Sequence, residues 1–383
     1  MIATLDPPGA APLPFTTGLT PWAQTLPQHI SPTAAKSYLS CSLRFWFERV
    51  ACIRKPTTPA LHLGKAVHAA LQAFHLARWR GDDDSVEAVA DAYERAGGRY
   101  YPKLLCAVPF TPVTGRRLLA TGPHAQAIRS ALASSVVEVG KQSRASSAHF
   151  NFLDEQTWAE LGASGLLLRE DQQFHWINRG YQSFDDFLGA LSSRKRKTLR
   201  RERRDAQEGL EIIRVTGDDI REHHWDAFFE FYMDTGGRKW GSPYLNREFF
   251  GLLHERMADK CLLILALDQG EPIAGALNMI GSDTLYGRYW GRVMDKPFLH
   301  FEICYYQAID HAIRLGLKRV EAGAQGQHKI ARGYLPEAVH SAHWIADPAL
   351  REPVARYLDQ ERRAVEEDMG YLTAEFSPFK SEG

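Results

Sequence analysis

The chain has 383 residues, 44% hydrophobic and 24% charged, an ordinary globular composition with material for two or three domains and full cores. Its 46 Lys and Arg balance 46 Asp and Glu, which excludes a general electrostatic pull toward polyanions and leaves such contacts to local patches. Five cysteines, at 41, 52, 106, 261 and 304, form no C-x-x-C pair, which argues against a disulfide framework or a zinc knuckle and fits a reducing cytoplasm.

The opening "MIATLDPPGAAPLPF" lacks the basic head and continuous apolar stretch of a signal peptide, and "CLLILAL" at 261–267 is far too short to span a bilayer. A soluble cytoplasmic protein with no transmembrane segment is expected. Residues 1–30, rich in Pro, Ala and Thr, read as a flexible arm. At Ser31 the pattern changes to a helix, with Ser31 as N-cap, Pro32 at its first position and Ala35, Tyr38, Leu39 and Phe45 at helical spacing. A second amphipathic helix runs through Val67, Leu71 and Phe74 toward the acidic turn "GDDD".

Residues 100–122, broken by prolines and glycines, read as a long loop with short extended pieces, followed by a helix around 123–141 and a strand at "SSAHFNFL". "DEQTWAELGASG" is a helix closed by glycine, and "LLLREDQQFHWIN" a strand with a polar turn inside it. Ser183 and Asp186 resemble a capping box opening a long helix that Gly209 stops before a strand. Between 261 and 291, three apolar runs separated by "DQGE" and "GSD" predict an antiparallel meander. A helix through "FEICYYQAIDHAIRLGL" ends at Gly316, and "KRVEAGA" is a short strand leading into a Gly-rich loop.

The most charged segment is "SSRKRKTLRRERRD": from Arg194 to Arg204, eight of eleven positions are Lys or Arg. A thin apolar stripe through Leu191, Leu199, Ala206 and Leu210 leaves much of this block to solvent. Arg200 and Arg204 are candidates for meeting an anionic substrate, since guanidinium forks match phosphate geometry; no interleaved aromatics point to sequence-specific nucleic-acid reading.

Several phrases, "QFHWINRGYQSFDDFLGALSSRKRKTLRRER", "RKWGSPYLNREFF", "IAGALNMIGSDTLYGRYWG", "HFEICYYQAIDHAI" and "VEAGAQGQHKIARGYLP", together resemble the FemAB-like branch of the GNAT acyltransferase superfamily. More narrowly, they resemble a bacterial group labelled peptidoglycan biosynthesis/recognition proteins. The resemblance runs from about residue 90 to the C terminus. It implies an α/β (α+β) fold, a GNAT-like mixed, largely antiparallel sheet flanked by helices, with a helical N-terminal segment. Residues 31–80, "SPTAAKSYLSCSLRFWFERV" and "LHLGKAVHAAL", instead resemble the opening of RecB-family PD-(D/E)XK nuclease domains, with His68 where that family's His approaches magnesium. No D-x-K or E-x-K follows to complete such a site. The implied organisation is an arm at 1–30, a nuclease-like helical fragment at 31–89, a truncated first GNAT-like half at 90–150 and a FemAB-like GNAT domain at 151–383.

The loop 323–336 gathers Gln325, His328, Lys329, Arg332 and Tyr334 among three glycines that permit close backbone approach. By resemblance, Lys329 and Gly333 match the K-x-x-(F)-G signature of FemAB-like proteins. Arg288 and Tyr289 in "GRYWG", and Arg238 and Lys239 beside Trp240 in a turn-rich loop, are further candidates for binding substrate. His300, Glu302, Glu321 and Tyr334 are candidates for moving protons, with Glu302, Glu321 and Tyr334 assigned as catalytic. His175, alone in a strand, reads as a core residue. Where acetyl-CoA enzymes carry a glycine-paired pyrophosphate loop, this chain has "RVMDKPFLHFE", which does not support acetyl-CoA. Fem-type relatives use aminoacyl-tRNA; other acyl donors, acyl-CoA included, stay open. The expected activity is transfer of an acyl or aminoacyl group to an amine in peptidoglycan or cell-envelope metabolism, with tRNA a candidate partner and no metal. The alternatives are a magnesium-dependent, DNA-repair-related exonuclease at His68 and a non-catalytic binding module.

Overall fold

The computed structural model describes Glu94 and residues 99–239, 243–323 and 327–380. The residues of the expected arm at 1–30 and of the expected nuclease-like fragment with His68 lie outside the described residues, as do Trp240, Gln325 and the side chains of Arg238 and Lys239. From Arg99 onward the chain forms one unit.

It opens with β1 (Lys103–Cys106), α1 (Ala125–Gln142), β2 (Ser147–Leu153), α2 (Glu155–Ala163) and β3 (Leu167–Ile177). Asp154 caps α2 by accepting the Thr157 N–H at 2.9 Å, and Gly165, at φ +86°, ends it. The polar turn expected inside β3 is absent. Arg169 and Gln172 sit in one uninterrupted strand because the final helix offers them partners: Arg169 pairs with Glu361 at 2.8 Å and Gln172 donates to Asp368 at 2.5 Å.

The capping box forms as expected, with Ser183 and Asp186 bonding each other's backbone at the start of α3 (Phe184–Ala190). The single long helix does not form. Leu191 turns extended, is fully buried and bridges Phe379, and the Ser192 N–H donates to Pro378 O at 2.9 Å; the basic helix α4 (Ser193–Gln207) then starts afresh. After β4 (Glu211–Thr216) come α5 (Glu222–Lys239) and α6 (Arg247–Met257), so Arg238 and Lys239 belong to the last turn of a helix rather than to a loop. The meander is β5 (Cys261–Asp268), β6 (Glu271–Ile280) and β7 (Thr284–Arg292). Leu262–Ala266 read as a continuous apolar run because β5 is buried on both faces.

Leu299–Phe301, a π-helical stretch Glu302–Tyr306 and Gln307–Arg314 run on as helix α7, after which β8 (Arg319–Glu321), a 3₁₀ stretch (Gln327–Arg332), β9 (Leu335–Ile345) and α8 (Pro348–Phe376) complete the unit. One nine-stranded sheet has the order β1-β2-β9-β3-β8-β7-β6-β5-β4. Only β1–β2 and β7–β8 are parallel, so the sheet is mixed, largely antiparallel and flanked by helices, as expected. Residue 150, the expected end of the first half, falls inside β2, and the sheet continues across it. The largest core packs α3, α4 and α7 on one face; a second, around Trp225 and Phe250, packs α5 and α6 on the other. At Gly291 α5 comes so close that a Cβ would lie 2.2 Å from Phe231 O. Among the described residues no helix is long and apolar enough to cross a membrane.

Candidate functional site

The parallel strands β7 and β8 pair over three positions only, Thr284–Arg319, Leu285–Val320 and Tyr286–Glu321. Beyond them β7 continues while the chain leaves β8 through Ala322 and Gly323, the latter at φ +76°. At the same level β7 bulges against β6: Leu277 faces Tyr289 and Asn278 faces Gly287, leaving Arg288 without a strand partner. The divergence opens a cleft of about 130 Å³ between the sheet and the start of α7. Asn278, Arg288 and Tyr289 line it from the sheet, and His300, Cys304 and Tyr305 from the helix.

The π-helical stretch explains how α7 serves two neighbours. Its wider turn directs Cys304 and Tyr305 to the cleft while Glu302 and Tyr306 reach α4. Glu302 is fully buried, and its Oε1 accepts from Arg203 at 3.2 Å, Gln207 at 2.7 Å and Gln307 at 2.6 Å. Burial raises its pKa against the opposing pull of Arg203. Glu302 therefore ties α7 to α4 and does not line the cleft.

Behind the cleft, Lys329 is buried and its Nζ donates to Gly323 O at 2.8 Å. Burial pushes its pKa down to about 8. The neighbouring His328 is exposed, and its Nε2 lies 2.9 Å from the Tyr305 hydroxyl. Partial burial, then Arg332 and Lys329, lower the pKa of this imidazole and favour its neutral form. Arg332 turns away: its guanidinium donates to Glu202 of α4 and to His328 O, and lies 3.4 Å from the centroid of the Phe301 ring. Gly333, at φ +93°, leaves no room for a side chain, since a Cβ would lie 2.8 Å from the Phe187 ring.

The fold brings Arg288 and Tyr289 to the cleft, with His328 and Lys329 beside it. The Arg288 guanidinium also donates to Phe110 O and to the Tyr244 hydroxyl, and the Tyr289 hydroxyl bonds that same Tyr244 oxygen. Glu321 is buried beside His175, its Oε2 4.0 Å from His175 Nε2, while the half-exposed Arg319 lies 3.8 Å from its Oε1; desolvation lifts the pKa of Glu321 to about 7 and drops that of His175 to about 4. Its strand neighbour Val320 points into the core on the α7 side, so Glu321 points to the other face of the sheet. Tyr334 is wholly buried, with its hydroxyl unpartnered and its ring against Tyr305.

Arg200 and Arg204 are exposed on α4, paired with Asp185 and Asp205, and line a separate groove of about 860 Å³. Sequence reasoning missed Asn278, Cys304 and Tyr305. The first is one polar residue at alternating spacing inside an apolar strand, "IAGALNMI", a signal visible in hindsight; the other two depend on the π-helical turn, which leaves no mark in the pattern.

Among solved structures the chain is similar to L-PGS from Bacillus licheniformis, at 12% identity over 61% of this chain and 78% of that one, with a TM-score of 0.44. It is similar also to FemX, at 14% identity over 66% and 85%, with a TM-score of 0.42. A third is the C-terminal domain of a putative lysylphosphatidylglycerol synthetase from Agrobacterium fabrum, at 12% identity over 63% and 79%, with a TM-score of 0.43. No curated protein matches in sequence. A family model described as peptidoglycan biosynthesis/recognition matches residues 55–381, starting upstream of the expected residue 90 and taking in His68. With that match spanning most of its length, the chain belongs to the FemAB-like family.

Proposed function

We propose that the chain is a GNAT-type transferase that joins a small acyl or aminoacyl group to an amine of a peptidoglycan precursor. The observation that carries this reading is the divergence of β7 and β8 after Tyr286 and Glu321, which opens a cleft between two parallel strands with a helix start and a cation beside it. A volume of about 130 Å³ suits a small acyl group. The amine nitrogen attacks the carbonyl carbon of an activated ester or thioester. A C–N bond forms, the C–O or C–S bond breaks, and the leaving oxygen or sulfur takes up a proton. The proton lost by the amine passes to the Tyr305–His328 pair, whose imidazole is held neutral and able to accept it. Arg288 and the Lys329 ammonium place positive charge near the developing oxyanion. Exposed Arg200 and Arg204 of α4 would receive the phosphates of a donor such as aminoacyl-tRNA, in the cytoplasm.

The test incubates the protein with alanyl-tRNA or acetyl-CoA and a lysine-containing muramyl peptide, and looks by mass spectrometry for a new amide. Amide formation lost in Arg288→Ala supports the reading; no amide with either donor class counts against it. A second reading, peptide recognition without turnover, is favoured by the positions of Glu302, Glu321 and Tyr334, none of which lines the cleft. Its signature is saturable binding of the muramyl peptide with no product.

A further inference from the structure

Asn278 occupies the position in β6 where the register with β7 shifts, opposite Gly287, which brings no side chain. It is 1% exposed, and its Nδ2 has no hydrogen-bond partner. Other buried unpartnered donors, such as Trp176 Nε1 and Trp225 Nε1, sit in the hydrophobic cores. Asn278 alone among these described groups lines the cleft. A buried amide donor left unmet opposes folding, and the site would be more stable with a hydrocarbon there. The unmet group is a donor, so its partner must be an acceptor. Arg288 and Lys329 nearby disfavour a cation and favour an oxygen carrying partial negative charge. The amide is also neutral at every working pH, so it can orient an acceptor without titrating.

We propose that Asn278 Nδ2 donates a hydrogen bond to the carbonyl oxygen of the acyl group bound in the cleft. The assignment rests on reading the cleft as an acyl-transfer site and adds to it a residue that orients the reacting carbonyl.

The experiment titrates the full-length protein, labelled with ¹⁵N-asparagine, with N-methylacetamide and with methyl acetate as carbonyl probes. The side-chain amide signals of Asn278, identified by their loss in Asn278→Leu, shift on titration. Affinity for both probes falls about tenfold in Asn278→Leu and Asn278→Asp, the worth of one hydrogen bond. The Tm of Asn278→Leu stays level or rises, because the unmet donor is gone. Undiminished affinity in both variants, no shift of the amide signals, or a fall in the Tm of Asn278→Leu would each overturn the assignment. Its failure is separable from that of the transfer reading. Probe binding that depends on Asn278 without amide product from the donors sinks transfer alone, whereas product formed at unchanged kcat/KM by Asn278→Leu sinks Asn278 alone.

Discussion

Arg332 Nη2 lies 3.1 and 2.9 Å from the two carboxylate oxygens of Glu202, binding the 3₁₀ stretch after β8 to the basic helix α4 in a buried pair. The Tyr306 hydroxyl donates to the same carboxylate at 2.5 Å. Removing one partner leaves the other charge buried and unmatched, so Glu202→Ala or Arg332→Ala should each cost about 3–5 kcal/mol in urea unfolding. The double variant Glu202→Leu/Arg332→Met should recover much of the loss. Equal losses in the double and single variants would show that packing, and not charge pairing, holds this contact.

Glu321 gives a pH signature. Desolvation outweighs the attraction of Arg319 and lifts its pKa from 4.5 to about 7. Between these values the folded state keeps a proton that the unfolded state has released, so the stability tied to neutral Glu321 is full below pH 4.5 and lost as pH rises through 7. Glu321→Gln should therefore gain on the parent from pH 5 to pH 8, on the order of 1–3 kcal/mol. Urea melts at four pH values give the comparison; parallel profiles would remove Glu321 as the source.

Lys329 has the opposite sign and a different window. Burial lowers its pKa from 10.5 to about 8, so between pH 8 and 10.5 the unfolded state binds more protons and stability rises with pH. Lys329→Met should flatten that rise and match or exceed the parent's stability at pH 7. The same variant should lose about tenfold or more in kcat/KM for amide formation, since it removes the cation beside the cleft.

Close approach of α5 to β7 depends on Gly291. Gly291→Ala places a methyl 2.2 Å from the Phe231 carbonyl oxygen, which only a shift of backbone can relieve, and should cost about 1–3 kcal/mol. Gly189→Ala, in α3 with nothing within 4 Å, is the matched control and should stabilise by about 0.5–1 kcal/mol. Chemical denaturation of both variants checks the pair.

The exposed arginines of α4 separate function from folding. Arg200→Ala/Arg204→Ala should leave stability within about 0.5 kcal/mol of the parent, because both side chains face water and their ion pairs are surface ones. Binding of tRNA should weaken, and the slope of log K against log salt should shrink by about one to two. An unchanged slope would place the donor elsewhere.

Local chemistry made the Ser183–Asp186 capping box, the β5–β7 meander and the end of α7 at Gly316 legible, because each is decided within a few neighbouring residues. What escaped depends on distant partners. Arg169 and Gln172 looked like a turn until Glu361 and Asp368 supplied the other half of each interaction. The break at Leu191 is set by Pro378 and Phe379, nearly two hundred residues away. Of the candidate site, Arg288 and Tyr289 were readable from an aromatic-rich strand end. Glu302 shows the limit of that reading: a carboxylate at a helix start looks like a general base, and only the π-helical turn decides that it faces α4.

Strand order also carries a consequence for biosynthesis. β9 lies between β2 and β3, pairing with β2 from Ser147 to Leu153 and with β3 from Leu167 to His175. A ribosome-bound chain that has not yet released Ile345 holds two unsatisfied sheet edges, and the early strands wait for one of the last to arrive. Emerging nascent chains should therefore need shielding from their neighbours until Ile345 has cleared the ribosome, and synthesis stalled before that point should yield aggregates rather than a smaller folded protein.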